Sequence, residues 1–397
     1  MDRQCARDAN DLPGGGPVSG IVLQASGPNA LGIVRSLGRV GVPVVAVDVD
    51  AHALGLRSKY ATPRASVDPL LHPSGFVDDV EAIGRTLAST GVLYATHDEA
   101  LSAIGPSEER LRRVVHVPWS PWPVMSRVLD KAHQHAVARS IGFPIPETID
   151  PTSDADIEAA IRALRFPMIL KPRNAPEFRR KFRTQVFEAN TPDELRRAWE
   201  DAAAYDPQLS EVIPGGDDAL WTLGSYRNRE GQPLASFTGR KLRQWPPRFG
   251  TARAAESRWD PDLAARCHLL LDALEFHGIS QVEVKRDPRD GRDYLIEVNP
   301  RSWLWIGLAT AVGVNLPQAA YLDAIGRPVV RPDGHRDGVR WTLLAKHLVA
   351  GAREVRRGEW SARALAQTLR PPIMDGVLDL RDPRPALSQY RRMLRRG

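Results

Sequence analysis

Residues 279–301 constrain the fold more than any other stretch, because two strand-like runs meet across a turn and each carries polar side chains at alternate positions. Strand side chains alternate between faces, so Gln281, Glu283 and Lys285 share one face while Val282 and Val284 share the other. In the second run Leu295, Glu297, Asn299 and Arg301 lie opposite Tyr294, Ile296 and Val298. A two-residue Asp290-Gly291 turn would set Glu283 opposite Val298. A three-residue loop, Arg289-Asp290-Gly291 with Gly291 left-handed, instead pairs Glu283 with Glu297 and Gln281 with Asn299 and keeps every Val and Ile on one face. We expect the three-residue loop. Two carboxylates directly across a strand pair repel and need a compensating cation. Carboxylate and amide oxygens with no His or Cys nearby suit a hard ion, Mg2+ before Ca2+, and Mg2+ typically arrives with a phosphorylated substrate. The expected metal ligands are Glu283, Glu297 and Asn299; the bland alternative is an exposed hairpin face with solvated charges.

At 397 residues the chain has room for two or three domains. A net charge of +6 favours anionic ligands, but Lys and Arg are interspersed with Asp and Glu, so no nucleic-acid partner is expected. Two cysteines, Cys5 and Cys267, allow neither a disulfide framework nor a cysteine metal cluster, which fits a reducing cytoplasm. The first residues lack an apolar export core, and the most apolar stretch, 303–314, is too short to span a bilayer, so no membrane role is expected.

Residues 1–17 are polar and Gly/Pro-rich and should be disordered. Order begins with a strand at 21–24, a turn at 25–29, a helix at 30–40 and a strand at 44–48, which make a βαβ unit. Asp48 imitates the ribose-binding acid of dinucleotide folds, but Gly27 and Gly32 do not complete G-x-G-x-x-G, so a scaffold role is favoured over NAD binding. The alternation continues through a helix near 76–90, strands near 92–95 and 114–117, and a turn at His97-Asp98-Glu99. Three prolines and two tryptophans at 118–123 mark a boundary. Lys131 then lies near the start of a helix over 125–140. Pro167-Met-Ile-Leu-Lys171-Pro is an apolar strand ending in a lysine held before a proline, placed to aim an ammonium at phosphate. A basic stretch follows at 173–183. Glu211-Val-Ile-Pro214-Gly-Gly-Asp217-Asp218 reads as a strand entering a turn whose backbone could bond a flat heterocycle. Antiparallel strands at 221–226 and 234–238 precede a basic loop at 239–248, in which Arg240, Lys241 and Arg243 are candidates for holding a carboxylate or phosphate. A helix at 262–274 leads into the hairpin. Residues 303–326 should cover the core, and the Arg-rich end, with Arg391, Arg392, Arg395 and Arg396, should be solvated.

The order Lys131, Pro-Met-Ile-Leu-Lys171, Glu211-Val-Ile-Pro-Gly-Gly-Asp217, Glu283 and Ile-Glu297-Val-Asn299-Pro-Arg301 resembles the ATP-grasp superfamily, most closely its carboxylate-amine ligases, over residues 20–325. The resemblance implies an α/β chain of ATP-grasp fold: a disordered tail at 1–17, a Rossmann-like parallel βα domain at 18–118, and α+β ATP-grasp subdomains with antiparallel sheets at 119–326. An Arg-rich extension occupies 327–397. It implies an ADP-forming ligase that activates a carboxylate as an acyl phosphate and couples it to an amine. By the same resemblance, Lys131 and Lys171 contact ATP phosphates, the backbone of Glu211, Val212 and Ile213 holds adenine, and Asp217 binds ribose. Glu283, Glu297 and Asn299 hold two Mg2+, with Mn2+ able to substitute, and Arg301 steadies the transferred phosphoryl group. Arg301, Lys171, Arg240 and Lys241 form the expected catalytic set. The family's phosphate-covering loop is usually rich in Gly and Ser, whereas residues 173–181 here are mainly basic and bulky, a departure that bears on their role as a lid. The expected partners are a small-molecule carboxylate and an amine, with a homodimer possible. An NAD(P)-dependent oxidoreductase and a non-catalytic nucleotide or polyanion binder are the alternatives.

Overall fold

The computed structural model describes residues 17–172, 178, 181–184, 186–245 and 250–394. The tail at 1–16, most of the basic stretch at 173–183, residues 246–248 of the expected basic loop, and Arg395 and Arg396 lie outside the described residues. The chain forms two compact units. One contains residues 17–141, Gly216–Val284 and residues 297–394; the other contains Gly142–Gly215 and Lys285–Ile296.

In the larger unit, β1 (Gly20–Leu23), β2 (Val44–Asp48), β3 (Ala61–Ala65), β4 (Gly91–Tyr94) and β5 (Val115–His116) form a parallel sheet ordered β3-β2-β1-β4-β5. Parallel neighbours require crossovers, which helices such as Pro28–Gly38 and Pro73–Thr86 supply. Every residue of β1, β2 and β4 is buried, as strands covered on both faces must be. Gly32 serves packing: a Cβ there would meet Gly307 N and Ile306 Cγ2 at 3.2 Å, so its absence lets helix Pro28–Gly38 lie close to helix Ile306–Ala311.

The smaller unit holds β6 (Thr148–Ile149), β7 (Met168–Pro172), β8 (Phe187–Ala189) and β9 (Pro207–Glu211) in an antiparallel sheet ordered β6-β9-β7-β8. Met168, Leu170, Ala189 and Leu209 turn inward against Ile157, Leu195 and Trp199 of helices Asp154–Ala163 and Pro192–Ala202. Ser153 and Asp156 close a capping box at the start of the first helix.

A seven-stranded sheet is ordered β14-β13-β10-β11-β12-β15-β16. Its strands are β10 (Leu220–Arg227), β11 (Pro233–Trp245), β12 (Thr251–Ser257), β13 (Gly278–Arg286), β14 (Asp293–Asn299), β15 (Arg340–Thr342) and β16 (Ile373–Asp375). Two expectations fail here. First, the basic stretch after residue 238 is not a loop as far as Trp245: β11 continues through it, paired with β12 from Gly239 to Trp245 and irregular around Arg243. Long basic stems pack along a sheet while their charged heads find carboxylates, so charge density alone did not break the strand. Second, the β13–β14 loop has four residues, not three. Asp287 N–H donates to Arg292 O at 2.9 Å and Gly291 N–H to Asp287 O at 2.8 Å, enclosing residues 288–291 with Gly291 at φ +72°. Asp287 Oδ1 accepts from Arg289 N–H at 2.8 Å, and Pro288 has no N–H for the ladder, so the turn begins one residue early. Near the tip Arg286 meets Asp293 at 2.8 Å, yet Asn299 still meets Gln281 at 3.3 Å.

The segment after residue 326 completes this sheet with β15 and β16. It is also tied to the parallel domain. Arg35 Nε donates to Asp382 Oδ2 at 3.0 Å, and Asp382, fully buried, also accepts from Ser58 Oγ and Lys59 N–H. At the Arg-rich end Arg392 pairs with Asp50 at 3.1 Å, so that arginine is engaged rather than merely solvated. Asp382→Ala would leave the Arg35 guanidinium buried and uncompensated; we expect a loss of stability of about 3–5 kcal/mol, read by urea unfolding. A loss below about 1 kcal/mol would show that the pair is incidental.

Candidate active site

Six of the sequence-derived candidates gather at one face of the seven-stranded sheet within the larger unit. Glu283 on β13 is buried, and both its oxygens lie on the Lys241 ammonium, at 2.8 and 2.7 Å. Lys241 on β11, itself buried, also donates to Gln244 Oε1 at 3.2 Å. Glu297 on β14 takes the Lys131 ammonium at 2.5 Å and Asn299 Nδ2 at 3.0 Å. Lys131 opens helix Lys131–Ser140, which Asp130 caps through Ala132 N–H; the expected single helix over 125–140 is therefore broken at that cap. Arg301 donates to Asp98 Oδ1 at 2.6 Å, to Asp98 Oδ2 at 3.2 Å and to Asn299 Oδ1 at 3.2 Å.

The electrostatics follow from these pairs. Burial alone would raise the Glu297 pKa, but Lys131, the Asn299 amide and the nearby Lys241 outweigh it and hold the carboxyl at about 2. The repulsion expected between Glu283 and Glu297 is thus met in this structure by one ammonium for each carboxylate. Two carboxylates and an amide oxygen remain a hard-oxygen set suited to Mg2+, provided the ammonium groups give way. Among the described residues, no three His, Cys, Asp or Glu side chains cluster as a ready metal cage.

Asp217 sits at the start of a short turn on the same unit. Its Oδ2 accepts Gln244 N–H at 2.9 Å, its Oδ1 accepts Gln244 Nε2 at 3.0 Å, and Arg243 approaches at 3.5 Å. Its carboxylate is already engaged, so a ribose hydroxyl would have to compete for it. Arg243 is further committed to Glu354 at 2.7 Å and stacks over Trp360. Arg240 does not join the cluster. Adjacent strand residues point to opposite faces, and Arg240 lies in the cross-strand row Trp221, Arg240, Glu256, Arg340, bonding Glu256 at 3.2 Å. The expectation that it acts beside Lys241 is corrected by that alternation.

In the smaller unit Lys171 is the next-to-last residue of β7, with its side chain exposed. Glu211 N–H donates to Glu147 O and Val212 N–H to Pro167 O, while the Glu211 carboxylate caps Arg165 N–H at 2.7 Å. Among the described residues the Ile213 backbone has no recorded partner, which leaves it able to bond a heterocycle edge.

Sequence reasoning missed Asp98 as the partner of Arg301 and Gln244 as the link between Lys241 and Asp217. Asp98 carried a weak signal, since its turn ends a parallel strand, where such sheets place ligands. Next to it, burial and Arg301 hold His97 below its usual pKa. On the dinucleotide reading, Asp48 is spent locally on Asp50 N–H at 2.7 Å. No helix among the described residues is long and apolar enough to cross a membrane.

No protein-family model matches the chain. It is 22% identical over 246 residues to D-aspartate ligase of Enterococcus faecium, covering 59% of this chain and 58% of that protein, less than two thirds of its length. It is 26% identical over 280 residues to D-alanine–D-alanine ligase of Pseudomonas entomophila, covering 67% of this chain and 76% of that protein. Among solved structures, N5-carboxyaminoimidazole synthetase from Staphylococcus aureus superposes with a TM-score of 0.60 at 14% identity over 80% of each chain, and it has also been solved complexed with ADP. A parallel βα sheet joined to antiparallel sheets in this arrangement is the ATP-grasp fold. The chain has the ATP-grasp fold, and in sequence it is similar to ligases that include D-aspartate ligase and D-alanine–D-alanine ligase.

Proposed function

We propose that this chain uses ATP to activate a small carboxylate, of the amino-acid kind handled by the D-aspartate and D-alanine–D-alanine ligases, and couples it to an amine with release of ADP and phosphate. One observation carries the reading: two carboxylates, each matched by its own lysine, share a sheet face with Asn299 and Arg301. In this reading Lys131 and Lys171 bind the phosphates, the backbone of Glu211, Val212 and Ile213 holds adenine, and Asp217 takes the ribose. Glu283, Glu297 and Asn299 would hold Mg2+, which supplies charge neutralisation at the transferring phosphoryl group. Lys241, released from Glu283, and Arg301 then face the charge that develops on the phosphoryl oxygens. The carboxylate substrate attacks the γ-phosphorus, the bond to ADP breaks, and the amine displaces phosphate from the acyl phosphate. The chain contributes position and fixed charge, so no nucleophilic side chain is required.

The same proposal takes residues 18–118 as the domain preceding the ATP-grasp subdomains at 119–326, with 327–397 as an extension. It carries two metal ions, tolerance of Mn2+, a homodimer and a cytoplasmic location as further expectations. Arg240 would act only indirectly, through the row that contains Glu256.

Phosphate release measured with malachite green across pairs of carboxylates and amines, beginning with D- and L-amino acids, should identify a pair that depends on both partners. ATP binding with no such pair across the panel would favour the non-catalytic reading. Lys171→Met should weaken ATP binding in calorimetry by about tenfold or more with an unchanged melting temperature, since it removes one exposed ammonium. Unchanged affinity would remove Lys171 from the site. Glu297→Gln should abolish phosphate release while the protein stays folded, because a neutral amide is a poorer Mg2+ ligand and the partner Lys131 is half exposed to solvent. Turnover at the parent rate would make Glu297 a structural residue.

A further inference from the structure

We propose that Gln134 is a positioning residue that fixes the metal-ligand pair Glu297 and Asn299 by acting as a substitute strand on the open edge of the seven-stranded sheet; the inference rests on the metal reading above. β14 is the edge strand, with β13 on one side only. An edge strand presents N–H and C=O groups that need partners, and such edges slip in register unless they are covered. The residue between the two ligands, Val298, is 3% exposed, so its outward peptide groups cannot rely on water.

The Gln134 side chain supplies what a neighbouring strand would. Its Oε1 accepts Val298 N–H at 2.8 Å, and its Nε2 donates to Val298 O at 2.8 Å, so one primary amide makes the reciprocal pair of a sheet ladder. The second Nε2 proton goes to Val128 O at 2.6 Å, in the helix that precedes Asp130, which fixes the amide plane from behind. Gln134 is 2% exposed. Its helix is Lys131–Ser140, so the element that brings Lys131 to Glu297 also clamps the peptide one residue farther along.

The clamp has a geometric consequence. β14 is paired on one side only, so its register around Val298 depends on what holds its open edge. A shift of one residue would carry Glu297 and Asn299 to the other face. Pinning Val298 at both backbone atoms holds the two side chains on the face of Glu283. No other residue type fits as well. Glu lacks the donors, Lys lacks the acceptor, and Leu would leave two buried backbone groups unpaired.

The test is Gln134→Leu in the full chain, read by Mn2+ binding to the enzyme–ADP complex through electron paramagnetic resonance, with ADP affinity in EDTA and the melting temperature measured alongside. Mn2+ affinity should fall by roughly tenfold to a hundredfold, the usual cost of losing a group that orients a ligand. Metal-free ADP affinity should change by less than about twofold. If Gln134→Leu does not fold, Gln134→Asn gives the same reading, since its amide is one methylene too short to span Val128 and Val298. Unchanged Mn2+ affinity in a folded variant overturns the proposal, and so does an equal fall in both affinities. Glu297→Gln is the control: if that change leaves Mn2+ binding intact, the metal reading has failed rather than the role of Gln134.

Discussion

The arrangement depends on neutralising two carboxylates that sit on one sheet face with little access to water. An ionised carboxylate removed from solvent without a partner would instead take up a proton. Here Lys131, in the first turn of a helix, holds the Glu297 carboxyl in its charged form, and Lys241, on a strand of the same sheet, pairs with Glu283. That requirement links the long β11, the helix cap at Asp130 and the edge strand β14. If any of them moved by a few ångströms, a buried charge would lose its partner.

The parallel βα domain and the hairpin were legible because their signals are local and repetitive, while the ATP-grasp fold itself was implied by the resemblance of the ordered motifs. The βαβ alternation before residue 118 and the alternating polar face of the hairpin each follow from backbone periodicity, and both sheets formed near the expected positions. The length of β11 was hidden because dense positive charge imitates a loop, although arginine and lysine stems tolerate a strand well. The loop of the hairpin was misjudged by one residue because Asp287 caps its own turn, an interaction that competes with the ladder and leaves no periodic trace.

At the site, the residue types were readable and their partners were not. A carboxylate in a sequence announces that it needs a cation, but the choice of Lys241 for Glu283 depends on which strands become neighbours. The pairing of Arg301 with Asp98 spans 203 positions. Gln134 had no signal at all, since a glutamine on an amphipathic helix reads as a solvated face until the edge strand beside it is known.

The bond between Arg35 and Asp382 bears on synthesis as well as on stability. Its partners are separated by 347 positions, and the arginine lies in the first helix of the parallel domain. During translation that helix emerges early, with a guanidinium destined for burial and its carboxylate still unmade. That guanidinium gains its buried partner only once residue 382 has joined the chain. The segment that looks like an appendage in the sequence supplies the counter-charge for a guanidinium buried in the first domain.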